Sequence, residues 1–284
     1  MRRLSPLARV VCTAAMVSVS EREFRRLAAG AVQSGTPLDF SGKTVMLSEP
    51  LKVEQDQVLR VVGGSIAGDG HSVFQAGGGR SGLLSLTDVE ISHHSSPERQ
   101  EKRSLGAAVF GRGKARVSLH GCSITSEAGF GLWLVQKCSM TAAHCDFPRC
   151  GRSTVVAFEN SRLEVSDSSI TRASMHAVCA RGSSRITIRD SHILHAEVRA
   201  VYCYHSSHLD MSGSRIEGTR RPEAAAIQVD ALRSDDASRL SLSDNTFADN
   251  AGGDVSVSGN VERCIRGDFV ERTAGISPDT SRNS

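Results

Sequence analysis

Ile186-Thr-Ile-Arg-Asp-Ser-His-Ile193 is the clearest copy of an eight-residue phrase that recurs along this chain. Five copies follow one another every 23 residues without a gap, starting at Val117, Met140, Leu163, Ile186 and Leu209. Three more copies start at Leu59, Leu84 and Leu240, where the intervals widen by 2, 10 and 8 residues. Self-similarity at a fixed period indicates a stack of equivalent structural units.

Within the phrase, apolar residues at the first and third positions predict a short, half-buried strand. The fifth position is Gly, Asp or His. Gly and Asp tolerate the backbone angles of a sharp bend. We therefore predict corners at Gly63, Asp88, Gly121, Asp167, Asp190, Gly213 and Asp244. A ladder of small side chains is predicted to fill the adjoining corner of the interior, namely Cys122, Cys145, Ser168, Ser191 and Ser214.

A second strand lies half a period away, with inward residues Val109, Leu132, Val155, Val178 and Val201 in register. Three short strands in about 23 residues make one coil of a parallel β-helix, in which each strand pairs with its equivalent about 4.8 Å away. Each coil buries its apolar face only when neighbouring coils are present. We predict an all-β protein, a right-handed parallel β-helix of about eight coils.

The N-terminal part of the chain predicts a capping helix. Ser20-Glu-Arg-Glu23 is a capping box, and Phe24, Leu27, Ala28 and Ala31 form an apolar helical face that would cover the first coil. The stretch 38–53 is interpreted as irregular strands leading into the repeats. The predicted division is an N-terminal segment at 1–19 (a candidate targeting peptide), the capped β-helix at 20–264, and a disordered tail at 265–284.

Composition limits the classes of partner and compartment. The 34 basic and 31 acidic residues give a net charge of +3, too balanced to demand nucleic acid or an anionic membrane. No apolar run is long enough for a transmembrane helix. Eight cysteines without a CxxC pair fit neither a zinc module nor a disulfide framework. We expect free thiols, a monomer, and a cytoplasmic location with secretion as the alternative.

These repeats resemble the pectate-lyase-like β-helix superfamily over roughly residues 21–260. The opening Leu38-Asp-Phe-Ser-Gly-Lys-Thr-Val45, followed by Gly63-Gly-Ser-Ile-Ala-Gly-Asp-Gly70, is similar as well. The short coils look like the carbohydrate-binding and sugar-hydrolysis repeats, which also occur in F-box β-helix proteins. There the resemblance implies substrate or partner recognition. The superfold hosts lyases, hydrolases, adhesins and scaffolds, so the site must decide function.

Enzymes of the polygalacturonase type would show Asn-Thr-Asp, Asp-Asp, His-Gly and Arg-Ile-Lys blocks on successive coils. Here Asp235-Asp236 lies in the 8-residue insertion, His120-Gly121 lies at a corner, and Arg-Ile-Lys is missing. The sequence therefore predicts no catalytic residue.

Candidate metal ligands have structural explanations. Asp167 and Asp190 stack one coil apart and are able to share a cation, but both are corner residues of the repeat. His192-x-x-His195 and His205-x-x-His208, with Cys203 close by, span different corners and are interpreted as loop histidines. We predict no metal and no cofactor.

The informative surface lies on the outward side of the second strand. Its residues include the single Trp and both Tyr of a chain with 4% aromatics. Aromatic and Arg side chains are enriched at interfaces. The predicted partner-binding residues are Phe110, Trp133, Phe158, Arg181, Tyr202 and Tyr204. The alternative is that a terminus or the 95–104 insertion covers this face.

A basic stripe precedes the first strand of each coil, at Arg116, Ser139, Arg162, Arg185, His208 and Arg239. Such a stripe could bind an acidic polymer through electrostatic attraction. Glu164 and Asp210 partly neutralise it, and an ordinary solvated face is the favoured interpretation. The predicted function is a non-catalytic module that binds a protein or polysaccharide along one face. The alternative is a polysaccharide lyase or glycoside hydrolase with degenerate motifs.

Overall fold

A computed structural model describes residues 16–78, 81–95, 106–267 and 269 of the chain. Three parallel sheets, A, B and C, wind around one core. Sheet A consists, in spatial order, of β1 (Val17–Ser18), β3 (Lys43–Leu47), β6 (Ser65–Gly68), β9 (Glu90–His93), β12 (Ser123–Ser126), β15 (Asp146–Cys150), β18 (Ser169–Thr171), β21 (His192–Leu194), β24 (Arg215–Glu217) and β27 (Thr246–Ala248).

The other two sheets are built in the same way. Sheet B consists of β2 (Leu38–Asp39), β5 (Val58–Val62), β8 (Leu83–Thr87), β11 (Arg116–His120), β14 (Ser139–Ala143), β17 (Arg162–Ser166), β20 (Arg185–Arg189), β23 (His208–Ser212), β26 (Ser238–Ser243) and β29 (Val261–Ile265). Sheet C consists of β4 (Leu51–Val53), β7 (Ser72–Ala76), β10 (Ala107–Gly111), β13 (Phe130–Leu134), β16 (Val155–Phe158), β19 (His176–Arg181), β22 (Arg199–Tyr204), β25 (Ile227–Asp230) and β28 (Val255–Ser258).

The predicted register is confirmed. Leu163 lies opposite Ile186, which lies opposite Leu209, so equivalent phrase positions stack in neighbouring coils. Every strand pair is parallel, as the 23-residue period requires. The solenoid class predicted from the repeat is therefore the observed one.

The coil count is higher than predicted. Sheet B has ten strands, whereas the repeated phrase counts eight. The additional strands are β2 and β29, which pair at the two ends without the apolar phrase. The stretch 38–53, expected to be irregular, forms β2, β3 and β4 of a regular coil. Backbone pairing with the next coil is enough to order these strands where the sequence pattern is degenerate.

The corners use the backbone conformation that the sequence indicates. Gly121, Asp167, Asp190 and Gly213 all have positive φ, between 47° and 62°. His144 occupies the same place with φ 54°. Gly adopts this region freely, and Asp is one of the few other residues found there often.

The core follows the predicted inward pattern, with Val155, Val178, Ile170 and Ile193 at most 1% exposed. The corner ladder of small residues is buried too, and it does more than fill space. The backbone N–H of Ser168 donates to the Oγ of Ser191 (3.3 Å), and the N–H of Ser191 donates to the Oγ of Ser214 (3.1 Å). The serines therefore satisfy backbone donors at a bend where the strand ladder is interrupted.

Helix α1 (Glu21–Ser34) covers the first coil as predicted. The Ser20 side chain accepts a hydrogen bond from the Glu23 N–H (3.3 Å), and Gly35 ends the helix with φ 70°. Phe24 is fully buried, with its ring edge-on to that of Phe40 at 4.9 Å. In the described part of the chain, α1 included, the structure has no helix with the length and apolarity needed to span a membrane.

Candidate partner-binding face

The outer surface of sheet C carries the predicted site residues in continuous rows. Phe110 lies opposite Trp133, and the row continues through Val156 and Cys179 to Tyr202. A second row runs from Phe158 through Arg181 to Tyr204. The two rows lie outside because the residues between them, such as Ala180, point into the core. We call this surface the sheet C face.

Four rings form a cluster in the N-terminal half of the face. The Trp133 ring lies 5.2 Å from Phe110, 5.5 Å from Phe130 and 5.9 Å from His71, measured between ring centroids. The guanidinium of Arg152 lies 5.6 Å from the Phe130 centroid, within cation–π range. His71, Phe130 and Arg152 were not predicted as site residues.

A column of planar groups forms the C-terminal half. Tyr202 and Tyr204 are stacked, with centroids 4.9 Å apart and planes 22° from parallel. Arg199 lies over the Tyr202 ring at 4.6 Å, and Arg181 lies 5.8 Å from the Tyr204 centroid. Arg181, Tyr202 and Tyr204 are predicted site residues, whereas Arg199 was not predicted.

Between these two groups the surface has a floor of small side chains. Val156 is 2% exposed and Cys179 is 8% exposed, although both lie on the outward row. The predicted aromatic residues beside them are half-buried, and Arg181 is exposed. The face thus has half-buried aromatic side chains at both ends and small, buried side chains between them. We call this arrangement the saddle. The 95–104 insertion, proposed as a cover, lies almost wholly outside the described residues.

A chain of polar contacts extends the face beyond Tyr202. The Nε of Arg199 donates to the Oε1 of Gln228 (2.7 Å), and the Nε2 of Gln228 donates to the Oδ2 of Asp230 (2.8 Å). The Ser258 hydroxyl donates to the other Asp230 oxygen (2.8 Å). These contacts hold the Arg199 guanidinium in place over the Tyr202 ring. Asp230 itself is only 5% exposed, and both of its carboxylate oxygens accept hydrogen bonds within this network.

Three titratable groups of the face have pKa values far from neutral pH. Burial, with help from the positive charges of Arg199 and Arg221, lowers the pKa of His176 to about 4. Burial and the neighbouring Asp230 carboxylate raise the pKa of Tyr202 to about 12. Burial also raises the pKa of Cys179 to about 12. At neutral pH the imidazole is therefore neutral, and the phenol and the thiol keep their protons.

Two buried polar atoms of the face lack a hydrogen-bond partner among the described residues, Trp133 Nε1 and His176 Nδ1. Unpaired buried donors and acceptors are uncommon in folded proteins. The neutral state of His176 keeps the energetic cost of its unpaired nitrogen low, because an uncharged imidazole is less costly to bury than an imidazolium.

Two of the histidines considered for metal binding contact other groups. His205 contacts Asp236 (Nδ1 to Oδ2, 3.2 Å), and the Nδ1 of His208 lies 3.1 Å from the Ser206 carbonyl oxygen. Across the described residues no group of three or more His, Cys, Asp or Glu is placed to hold a metal ion. Asp190 takes its corner position with φ 47°.

A groove of about 400 Å³ lies elsewhere, between α1 and the first coil. Its lining includes Ala28, Val32, Leu51 and Leu59, and none of the predicted site residues. It results from an amphipathic helix lying across the end of a solenoid and does not contribute to the sheet C face.

The family described as the right-handed β-helix region matches residues 107–266, more than half of the chain. This protein therefore belongs to the right-handed β-helix family. The match covers the five gapless repeats and the coils that carry the sheet C face.

Among curated proteins, none matches this chain. A solved structure with a similar fold is the A-module of the mannuronan C-5 epimerase AlgE4 from Azotobacter vinelandii. The identity is 10% and the TM-score 0.34, with 92% of this chain and 97% of the module covered. A likeness of that size gives no information about function.

Proposed function

We propose that this protein is a non-catalytic β-helix module that recognises a macromolecular partner through the sheet C face. The observation that carries the proposal is the saddle itself, in which two aromatic groups flank the floor of Val156 and Cys179. Trp, Tyr and Arg around a dry, well-packed centre are the residues that contribute most to binding energy at protein interfaces.

The protonation states support a binding role over a catalytic one. A general acid or base works best with a pKa near the working pH. His176 and Tyr202 have pKa values of about 4 and about 12, so both are shifted in the unhelpful direction. The Asp230 carboxylate is buried and accepts hydrogen bonds from Gln228 and Ser258.

Of the two predicted partner types, the geometry favours a protein. A sugar ring would stack on an open aromatic face, but Arg199 and Tyr204 already stack on Tyr202. Since two groups cannot occupy the same face of a ring, Arg199 and Tyr204 cover both faces of Tyr202. The edge and the hydroxyl end of Tyr202 are then what a partner can contact. Such edges suit the packed, hydrogen-bonded contacts of a protein interface. A carbohydrate partner is the alternative that the experiment must separate.

In the test, the wild type and the variants Arg181→Glu, Trp133→Ala and Tyr204→Ala are immobilised, and the proteins that each of them retains are compared. The matched control is Met46→Ala, which truncates a 56% exposed apolar residue outside the face. Proteins retained by wild type and the control, but lost from all three face variants, would support the proposal. A glycan array probed with the same variants reports a carbohydrate partner instead. Equal retention by every variant would contradict the proposal.

An enzyme remains the second candidate because His176, Tyr202 and Arg199 lie together on the face, with the first two rings 5.3 Å apart. Assays for unsaturated products and for reducing ends on pectate and alginate decide this. Turnover that is lost in Tyr202→Phe would replace the binding proposal with a polysaccharide lyase or hydrolase.

The cytoplasmic location stays part of this proposal. The seven described cysteines are all free thiols, which supports a reducing compartment.

A further inference from the structure

The three sheets do not extend equally far at the N-terminal end of the solenoid. Among the described residues, sheets A and B have ten strands each and begin with β1 and β2, whereas sheet C has nine and begins with β4. In chain order α1 stands between β1 and β2, at the place where the repeat calls for a further strand of sheet C. The helix replaces that strand, so β4 is an edge strand.

The free edge of β4 presents unpaired backbone groups at Lys52. The carbonyl of Val53 accepts a hydrogen bond from the Gly77 N–H (2.9 Å), so the backbone groups of Val53 point toward β7. Successive residues of a strand direct their N–H and C=O groups to opposite sides, so those of Lys52 point away from β7. No other described residue forms a hydrogen bond with the Lys52 backbone. Such an edge is a template for pairing with another chain.

A groove lies beside this edge because α1 does not close over it. The helix packs mainly against β2, β3 and β5. A space of about 400 Å³ remains between the helix and β4, with Lys52 in its lining. The apolar side chains of the lining include Ala28, Val32, Leu51 and Leu59. The missing strand of sheet C has therefore left both a hydrogen-bonding edge and an apolar space next to it.

The side chain of Lys52 defines the charge of a strand that would pair here. It is exposed and forms no ion pair with another described residue. Its neighbour on β7 is the uncharged Gln75. Opposite charges on neighbouring strands stabilise a sheet, so an acidic residue is favoured directly opposite Lys52 on the open side. The residues before and after that acid point the other way, into the groove, where aliphatic side chains fit the apolar lining.

We propose that the edge of β4 binds an extended segment of a partner protein, which adds to sheet C as a tenth strand. The segment carries an acidic residue between two aliphatic residues. Its backbone pairs with the N–H and C=O of Lys52, its acidic side chain contacts the Lys52 ammonium, and its aliphatic side chains fill the groove. In strand addition, main-chain hydrogen bonds give affinity, and pockets for alternate side chains give specificity.

The same charge argues against a second copy of this chain as the occupant. Lys52 supplies the free backbone groups of β4, so two such edges would have to meet with their Lys52 residues opposite each other. Like charges directly opposite one another destabilise a sheet, and Lys on an edge strand commonly prevents pairing between identical edges. The groove lies apart from the sheet C face, and this proposal does not rest on the proposed function.

The test measures binding of fluorescent peptides to the full chain by anisotropy. The first probe is Lys-Ser-Val-Glu-Val-Ser-Lys, whose terminal lysines suit Glu49, which also lines the groove. A second probe has Lys in place of the central Glu. A third is methylated at the backbone nitrogen of that Glu, which removes the donor for the Lys52 carbonyl.

The protein variants separate the charge, the groove and the other face. Lys52→Glu inverts the charge at the edge, and Val32→Arg fills the groove. The matched control is Lys137→Glu, the same inversion at an exposed lysine that follows β13. Trp133→Ala tests independence from the sheet C face. Thermal unfolding of each variant confirms that it is folded.

We expect the Glu probe to bind wild type, Lys137→Glu and Trp133→Ala with similar affinity. Lys52→Glu should bind the Glu probe more weakly by about threefold or more, and it should prefer the Lys probe instead. A misfolded variant would lose both probes, so this exchange of preference reports the contact itself. Backbone methylation and Val32→Arg should abolish binding.

Four results would overturn the proposal. They are failure of the Glu probe to bind wild type, equal binding of the Glu and Lys probes to wild type, undiminished binding of the methylated probe, and equal loss in Lys137→Glu. Light scattering of wild type adds a further check. A dimer that Val32→Arg dissociates would identify a second copy as the occupant and would overturn the proposal as well.

Discussion

The guanidinium of Arg199 lies 4.6 Å over the ring of Tyr202, and its Nε donates a 2.7 Å hydrogen bond to Gln228. Arg199→Lys keeps the charge but loses both the planar stack and the Nε donor. We expect the free energy of unfolding to fall by about 1–2 kcal/mol. Chemical denaturation measures this. Arg220→Lys, in an exposed ion pair with Glu197, should change it by less than about 0.5 kcal/mol; equal effects would contradict the arrangement.

His176 predicts a pH dependence of stability. Its pKa is lowered from 6.5 to about 4 in the folded protein, chiefly by burial. As pH falls, the unfolded chain takes up this proton first, so stability is lost between about pH 6.5 and pH 4 and levels off below. His176→Gln should reduce the dependence of the melting temperature on pH across that window. His192→Gln, at an exposed position, should leave the slope unchanged; a wild-type slope in both variants would rule out His176 as its source.

Val178 tests the inward assignment of sheet C. Val178→Asp places an unpaired charge at a fully buried position and should lower stability by about 3 kcal/mol or more. Arg181→Asp introduces the same acid three residues later, at an exposed position of the same strand. Its melting temperature should stay within a few degrees of wild type. The inward assignment fails if Val178→Asp melts as wild type does.

Gly213 tests the corner ladder. It has φ 60°, and a Cβ there would lie 2.3 Å from the Oδ1 of Asp190 in the coil below. Gly213→Ala should therefore displace the Asp190 carboxylate and destabilise the protein by about 1 kcal/mol or slightly more, chiefly through the backbone conformation at positive φ. In an Asp190→Gly background there is no carboxylate for the new Cβ to displace. Gly213→Ala should therefore lower the stability by less there than it does in the wild type. A double-mutant cycle by thermal unfolding measures the difference; strictly additive effects would argue against the contact.

Much of this architecture is readable from the sequence because a solenoid repeats its pattern in register. Val117, Met140 and Leu163 are 23 residues apart, and they are adjacent in space for that reason alone. The two end coils could not be read this way, since β2 and β29 owe their order to pairing and not to the apolar phrase.

The part of the site that sequence reasoning missed has two physical causes. Counting alternate residues back from Val178 places His176 inside, but Ala177 and Val178 both point inward at the start of β19, which leaves His176 on the outer side. Gln228 and Asp230 were missed because extra residues before β25 place them 26 residues after Tyr202 and Tyr204, and not at the period of 23. Their place opposite Tyr202 and Tyr204 becomes visible only from the strand pairing.

The direction of the hydrogen bonds in these sheets has a mechanical consequence. Strands pair only with equivalents in the coils above and below, so the bonds between coils run along the solenoid axis. A force pulling the two ends apart would load the coils in series, and the weakest junction would open first while the others kept their bonds. A force across the axis would be shared by many rows at once. The weakest junction between two coils therefore sets the axial load that the whole rod can bear.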